Sequence, residues 1–204
     1  MKQTGVFTVA LAFVLFMTSA ATAQQSTAKM EQEGQQVRMV TQLGLSRSAN
    51  SLVFSPDNRT LAVGLSDGSI RIWNLRAGRE VRTLQHGDYA GCISFAGGSR
   101  LLSSGIDGIV RLWDLKTGKV LKTGMHDKPV RGLAASKDGS IALSASNDNT
   151  VKVWKLPEMI QTAVFDHKSM AIDVAVSPDG KLAVSGDNDH RLVVWETATG
   201  QEVK

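Results

Sequence analysis

Four tryptophans divide most of the chain into near-equal lengths, and this spacing constrains the fold more than any other feature. They stand at positions 73, 113, 154 and 195, giving intervals of 40, 41 and 41 residues. Each sits in a similar β-prone string: Ile70-Arg71-Ile72-Trp73, Val110-Arg111-Leu112-Trp113, Val151-Lys152-Val153-Trp154 and Leu192-Val193-Val194-Trp195. Six residues before each Trp is an aspartate, Asp67, Asp107, Asp148 and Asp189. A second signature lies about nineteen residues before each Trp. It reads Phe54-Ser55-Pro56-Asp57 in the first copy and Val176-Ser177-Pro178-Asp179-Gly180 in the last. The middle copies are degenerate, as Phe95-Ala96-Gly97-Gly98 and Ala135-Ser136-Lys137-Asp138-Gly139. Self-similarity at this period denotes an array of supersecondary units that bury their apolar faces against one another.

Within the first copy, short runs rich in β-branched and apolar residues alternate with turn chemistry. Ser51 to Phe54, Thr60 to Gly64, Ser69 to Leu75 and Glu80 to Leu84 read as strands, separated by Pro-Asp-Asn, Ser-Asp-Gly and Arg-Ala-Gly turns. In the third strand Ile70 and Ile72 fall on one face, and Arg71 and Trp73 on the other. Apolar residues on both faces imply that both are covered, as blades stacked around an axis would be. Nineteen glycines against four prolines fit many tight turns, and no interval beyond the first residues keeps a helical period.

From about Arg38 to Lys204 the chain resembles the WD-repeat β-propellers, on its Trp–Asp spacings, its two Ser-Pro-Asp turns and three of its histidines. The resemblance implies an all-β propeller of four-stranded antiparallel blades, four of them encoded, with repeats at approximately 44–84, 85–123, 124–164 and 165–204. It also implies that a histidine before each inner strand bonds the aspartate of a later turn, with a serine and the Trp indole completing the network. His86, His126 and His167 stand 21, 22 and 22 residues ahead of Asp107, Asp148 and Asp189, and Ser103, Ser144 and Ser185 stand four residues before those aspartates. The expected sets are therefore His86, Ser103, Asp107 and Trp113; His126, Ser144, Asp148 and Trp154; and His167, Ser185, Asp189 and Trp195. The first repeat keeps Asp67 and Trp73, but Leu45 and Ser46 stand in place of the histidine and Val63 in place of the serine. Histidine and serine are thus present together or absent together, as a coupled hydrogen-bond network requires. Gly-His itself is missing, replaced by Gln85-His86, Met125-His126 and Asp166-His167.

Recurrence also decides between structure and chemistry. Ser, His and Asp in combination resemble a hydrolase triad, but a set that occurs three times in register with a Trp reads as architecture, and no Gly-x-Ser-x-Gly elbow occurs. Histidines at equivalent points of different blades are spread around a ring instead of converging on a metal. Asp187-Asn188-Asp189-His190 lacks the glycine and closing acid of a calcium loop. No metal, cofactor or catalytic residue is expected, and Cys92, the lone cysteine, reads as a small core residue. Asn58-Arg59-Thr60 is a glycosylation sequon in an expected turn.

The first 23 residues read as a cleavable export signal: Lys2 precedes the apolar run Val6 to Met17, and Ala21-Thr22-Ala23 forms a small-x-small site before Gln24. The alternative is an uncleaved anchor, which alone would bring the protein to a membrane. Residues 24–36 form a polar lead-in and 37–204 the repeat region. The net charge of +4 is small and its signs are interspersed, unlike the clustered cationic surface of a nucleic-acid binder.

What remains for function is surface. The resemblance implies a rigid platform that binds proteins at the rim of the central channel, here Tyr89, Lys128, Arg131 and Met170 from the loops entering the inner strands, with Ile106, Asn147 and Asn188 from the aspartate turns. Gly34 to Leu43 resembles the outer strand Gly78 to Leu84, and the chain also ends in such a strand at Gly200 to Lys204. A closed ring of four blades needs one of these two, so the ring is expected to be incomplete in this chain or completed by self-association through open blade edges. The expected function is that of an exported, periplasmic or extracellular, non-enzymatic scaffold for a protein partner. The alternatives are part of an exported propeller enzyme, or of a longer sensor whose active site lies elsewhere.

Overall fold

A computed structural model describes residues 47–203. The expected export signal, the polar lead-in and residues 37–46 lie outside the described residues. So does Lys204.

Fifteen strands run in chain order, and each blade is an antiparallel meander of consecutive strands. The first blade consists of β1 (Ala49–Phe54), β2 (Thr60–Leu65), β3 (Ser69–Asn74) and β4 (Arg79–Gln85), paired in that order. The second consists of β5 (Cys92–Phe95), β6 (Arg100–Ser104), β7 (Ile109–Asp114) and β8 (Val120–Met125). β9 (Val130–Ala135), β10 (Ile141–Ser146), β11 (Thr150–Lys155) and β12 (Ile160–Asp166) form the third. The last blade has β13 (Ala171–Val176), β14 (Leu182–Asp187) and β15 (Leu192–Glu196), and its fourth strand is only begun, by a bridge between Trp195 and Glu202. Even there the register is kept. Trp73 faces Glu80, Trp113 faces Val120, Trp154 faces Gln161 and Trp195 faces Glu202, seven residues on in every blade. In the three completed outer pairs a bulge falls just before the Trp. A bulge adds local twist and re-aims the side chain that follows it.

Turn chemistry fixes the first hairpin of three of the described blades. Ser55 Oγ donates to Asp57 Oδ1 at 2.6 Å and accepts the Thr60 N–H at 2.9 Å. Ser136 with Asp138 and Ser177 with Asp179 repeat the arrangement, each at 2.6 Å. The third copy, degenerate in sequence for want of a proline, therefore makes the same turn. Asn58 completes the first of these turns at a φ of 57°, in the left-handed region where Gly180 stands in the last copy at 73°. Asparagine tolerates that region better than most residues. Asn58 is exposed there.

The core lies in the seams between blades. Ile70, Ile72 and Ala62 of the first blade pack with Ile93, Phe95, Leu101 and Trp113 of the second. Val110, Leu112 and Leu102 pack with Val130, Ala142 and Trp154 in the next seam. Leu143, Val151, Val153 and Phe165 pack with Val174, Ala183, Val193 and Trp195 in the last. Each buried Trp thus faces back, onto the preceding blade, while Val110 and Leu112 beside Trp113, and Val151 and Val153 beside Trp154, face forward. The residue under each Trp varies to fit. Leu84 joins the cluster of Trp113; Phe165 stacks on Trp195 with centroids 4.8 Å apart; Gly124 lies so close to Trp154 that a Cβ would sit 2.7 Å from its ring. The blades pack in sequence, first to fourth, and among the described residues the ring is not closed. Cys92 is half-buried rather than a full core member. Its thiol donates to the Arg131 carbonyl across the second seam, at 2.8 Å, and burial pushes its pKa up to about 11.

Candidate functional site

The recurrent side chains form buried chains of hydrogen bonds running from each Trp to the turn after the second strand. In the third blade, Trp154 Nε1 donates to Ser144 Oγ at 2.8 Å, Ser144 Oγ lies 2.7 Å from His126 Nε2, and His126 Nδ1 lies 2.8 Å from Asp148 Oδ2. Burial raises the Asp148 pKa, but hydrogen bonds from Thr150 and His126 outweigh it and hold the carboxyl at about 2. An ionised carboxylate only accepts, so the His126 proton sits on Nδ1, and Nε2 receives the Ser144 hydroxyl. Burial lowers the His126 pKa against the opposing pull of Asp148, which keeps the imidazole neutral in this relay.

The second blade joins the same four residue types with the ring turned over, and Arg111 bridges the histidine to the aspartate. His86 Nδ1 lies 2.7 Å from Ser103 Oγ, which also accepts the Trp113 N–H at 2.7 Å. His86 Nε2 is 3.4 Å from Asp107 and 3.0 Å from Arg111 Nη1. A guanidinium can only donate, so Nε2 accepts and the proton sits on Nδ1. Arg111 also donates to Asp107 Oδ2 at 2.7 Å. Burial, and then the Arg111 charge, depress the His86 pKa. Arg111 was not in the expected set; on the sequence it looks like any charged residue alternating with aliphatics.

The fourth blade requires a correction. Trp195 Nε1 donates to Ser185 Oγ and Ser185 meets His167 Nε2, both at 2.7 Å, but the carboxylate beyond is Asp187, at 3.1 Å from His167 Nδ1, and not Asp189. Asp187 also accepts the N–H groups of Asp189 and Arg191, each at 3.0 Å, which turns its side chain inward and leaves Asp189 exposed. Burial works to raise its pKa, but these hydrogen bonds win and the carboxyl is held below its usual range. The signal was present in Asp187-Asn188-Asp189, two carboxylates in one turn. Counting back from the Trp selects the second, while the fold uses the first.

In the first blade, Asp67 and Trp73 are not joined, since Val63 offers no hydroxyl. Asp67 instead caps Ser69, accepting its N–H and hydroxyl at 3.0 and 2.6 Å, and pairs with Arg47.

These sets are closed to a substrate. Ser103 and Ser144 are 0% exposed and Ser185 1%. Among the described residues, no group of three or more His, Cys, Asp or Glu side chains is placed to hold a metal ion.

The seven rim residues share one end of the blades. Tyr89, Lys128 and Met170 lie just before β5, β9 and β13, Arg131 lies within β9, and Ile106, Asn147 and Asn188 follow β6, β10 and β14. Antiparallel pairing brings the start of each inner strand beside the end of its neighbour. Loops and turns are knitted there: the Val130 N–H bonds the Gly105 carbonyl at 3.0 Å, and the Asn188 N–H bonds Met170 at 2.9 Å. Arg131 Nε donates to Asn147 Oδ1 at 3.2 Å. Ile106, Lys128, Arg131 and Asn188 are exposed, and Tyr89, Asn147 and Met170 half-buried.

Comparisons with known proteins agree with this geometry. The family described as WD domain, G-beta repeat matches residues 118–155 and 159–196, and that described as Anaphase-promoting complex subunit 4 WD40 domain matches residues 18–98. A chain in the crystal structure of the mitotic checkpoint complex is similar, with a TM-score of 0.73 and 26% identity. The alignment covers 80% of this chain and 52% of that one, so this chain spans about half the length of its structural relative. No curated protein matches. The chain belongs to the WD-repeat family of β-propellers. Members of that family generally act as non-enzymatic scaffolds that bind proteins.

Proposed function

We propose that this chain is an exported scaffold that binds a protein partner at the rim carrying Tyr89, Ile106, Lys128, Arg131, Asn147, Met170 and Asn188, without turning over a substrate. The observation that carries this reading is the division of labour between buried and exposed polar groups. Every Ser-His-Asp set is used internally to tie one Trp to one turn, whereas the rim presents an apolar side chain, an aromatic, cations and amides on a rigid frame. Mixed surfaces of this kind, with aromatic and arginine anchors, suit protein recognition. The similar chain from the mitotic checkpoint complex comes from a protein assembly. Export rests on the amino-terminal sequence: Lys2, the apolar run and Ala21-Thr22-Ala23.

Crosslinking in cells that make the full chain, followed by identification of what is captured, tests the reading. The triple variant Ile106→Asp, Lys128→Glu, Arg131→Glu should lose the captured protein while keeping its β-rich circular dichroism spectrum. Retention of the same partner by that variant would move the interface elsewhere. Export is read from the mature amino terminus, expected at Gln24, and from the compartment in which it is found.

A further inference from the structure

Among the described residues the first and last blades each leave one apolar face uncovered, and the two faces are the two halves of a seam that the chain already makes three times. On the first blade the bare face carries Leu52 and Phe54, with buried Leu61 and half-buried Trp73 beside them. By register these correspond to Ile93, Phe95, Leu101 and Trp113, which the second blade packs against the first. Leu52 is 60% exposed where Ile93 is 6%, and Phe54 is 58% exposed where Phe95 is 6%. On the last blade the bare face carries Ala175, Leu182, Val184, Leu192 and Val194. These correspond to Ala134, Ile141, Leu143, Val151 and Val153, the forward face of the third blade, which the fourth covers. Leu192 is 74% exposed where Val151 is 0%. A shallow groove lined by Ala175, Leu182, Val184 and Val194 runs across this face.

We propose that the occupant of each face is a second copy of this chain, docked head to tail. The fourth blade of each copy then packs on the first blade of the other, making two identical seams related by a two-fold axis. The argument is continuity with an interface already in the molecule: the forward face of one blade receives the backward face of the next, and both halves of a fourth such seam are present and bare. Closure selects the number of copies. A heterologous contact either closes a ring or grows a filament, and propellers have about four to eight blades. The four described blades do not close, two copies of them supply eight, and a third copy would exceed the range.

The test is sedimentation of the full chain over a range of concentrations, with Phe54→Asp and Leu192→Asp, both at exposed positions where the monomer loses little. The wild type should sediment at twice the chain mass. Each variant should be monomeric at the same concentration, with an unchanged far-ultraviolet spectrum. Mixing the two variants should restore a weaker heterodimer, because one intact seam remains between the Phe54→Asp chain's fourth blade and the Leu192→Asp chain's first. A monomeric wild type would overturn the proposal and leave these faces to blades on another polypeptide. A dimer indifferent to either substitution, or a ladder of species growing with concentration, would overturn the head-to-tail closed ring.

Discussion

Blades one and three follow the same plan of strands, turn and bulge, yet they treat their tryptophans in opposite ways. Trp154 is 4% exposed, with its N–H held by Ser144 and its ring seated on Gly124. Trp73 is half-buried, Val63 stands where the serine would be, and Arg47 instead of a histidine meets Asp67. Strand pairing does not register the difference, since both tryptophans face the residue seven positions on. A blade therefore forms without the His-Ser network. The network belongs to the seam, where it satisfies the indole N–H and fixes the ring that the preceding blade must receive.

The sharpest way to break this comparison is to remove the two rings. Trp154→Ala should cost about 3–5 kcal/mol, as truncation of a buried aromatic does. Trp73→Ala should cost the monomeric chain clearly less, because no described blade of the same chain lies against its ring. Equal losses in denaturant unfolding would mean that the Trp serves its own blade rather than the seam.

A smaller effect is expected at the serine. Ser144→Ala should cost about 1–3 kcal/mol, because it strands both the Trp154 N–H and a histidine acceptor in a buried site. Introducing Val63→Ser in the first blade should stabilise nothing, since no histidine waits for it. A gain in stability there would show that the hydroxyl alone is sufficient.

Acid supplies the mildest test. The fold holds His86 and His126 below the 6.5 of a free imidazole, chiefly by burial. The unfolded chain consequently takes up protons first as pH falls, so their contribution is complete above about pH 6.5 and declines below it. Thermal melts should show a lower Tm at pH 5 than at pH 7, with local loosening around His86 and His126. Hydrogen exchange that loosened the first blade equally would contradict that assignment.

These contrasts also show what the sequence could and could not disclose. The period and the strands follow from spacing, because a repeat that stacks on itself must keep its seam residues in register, whereas the sets around His86 and His126 came from the resemblance to the WD-repeat propellers. The choice of Asp187 over Asp189 did not follow. It depends on which carboxylate the turn's own N–H groups capture, and the aspartate-to-Trp count does not encode that. Arg47 and Arg111 were hidden for a different reason: a charged residue that ends up paired with a turn aspartate has no mark in composition. The uncovered faces were hidden too, since Leu52 and Leu192 look like core residues until their burial is known.

The backward aim of the tryptophans has a consequence for how the chain is made. Synthesis delivers the amino-terminal blades first, and domains fold as their sequence emerges. Trp113, Trp154 and Trp195 each seat on aliphatics of the blade before, so every newly emerged blade meets a finished receptor. The forward-facing aliphatics of the newest blade are what the ribosome leaves exposed, and they stay so only until the next forty residues arrive. A pause during translation therefore leaves one greasy face open besides the backward face of the first blade, and it is always the same kind of face.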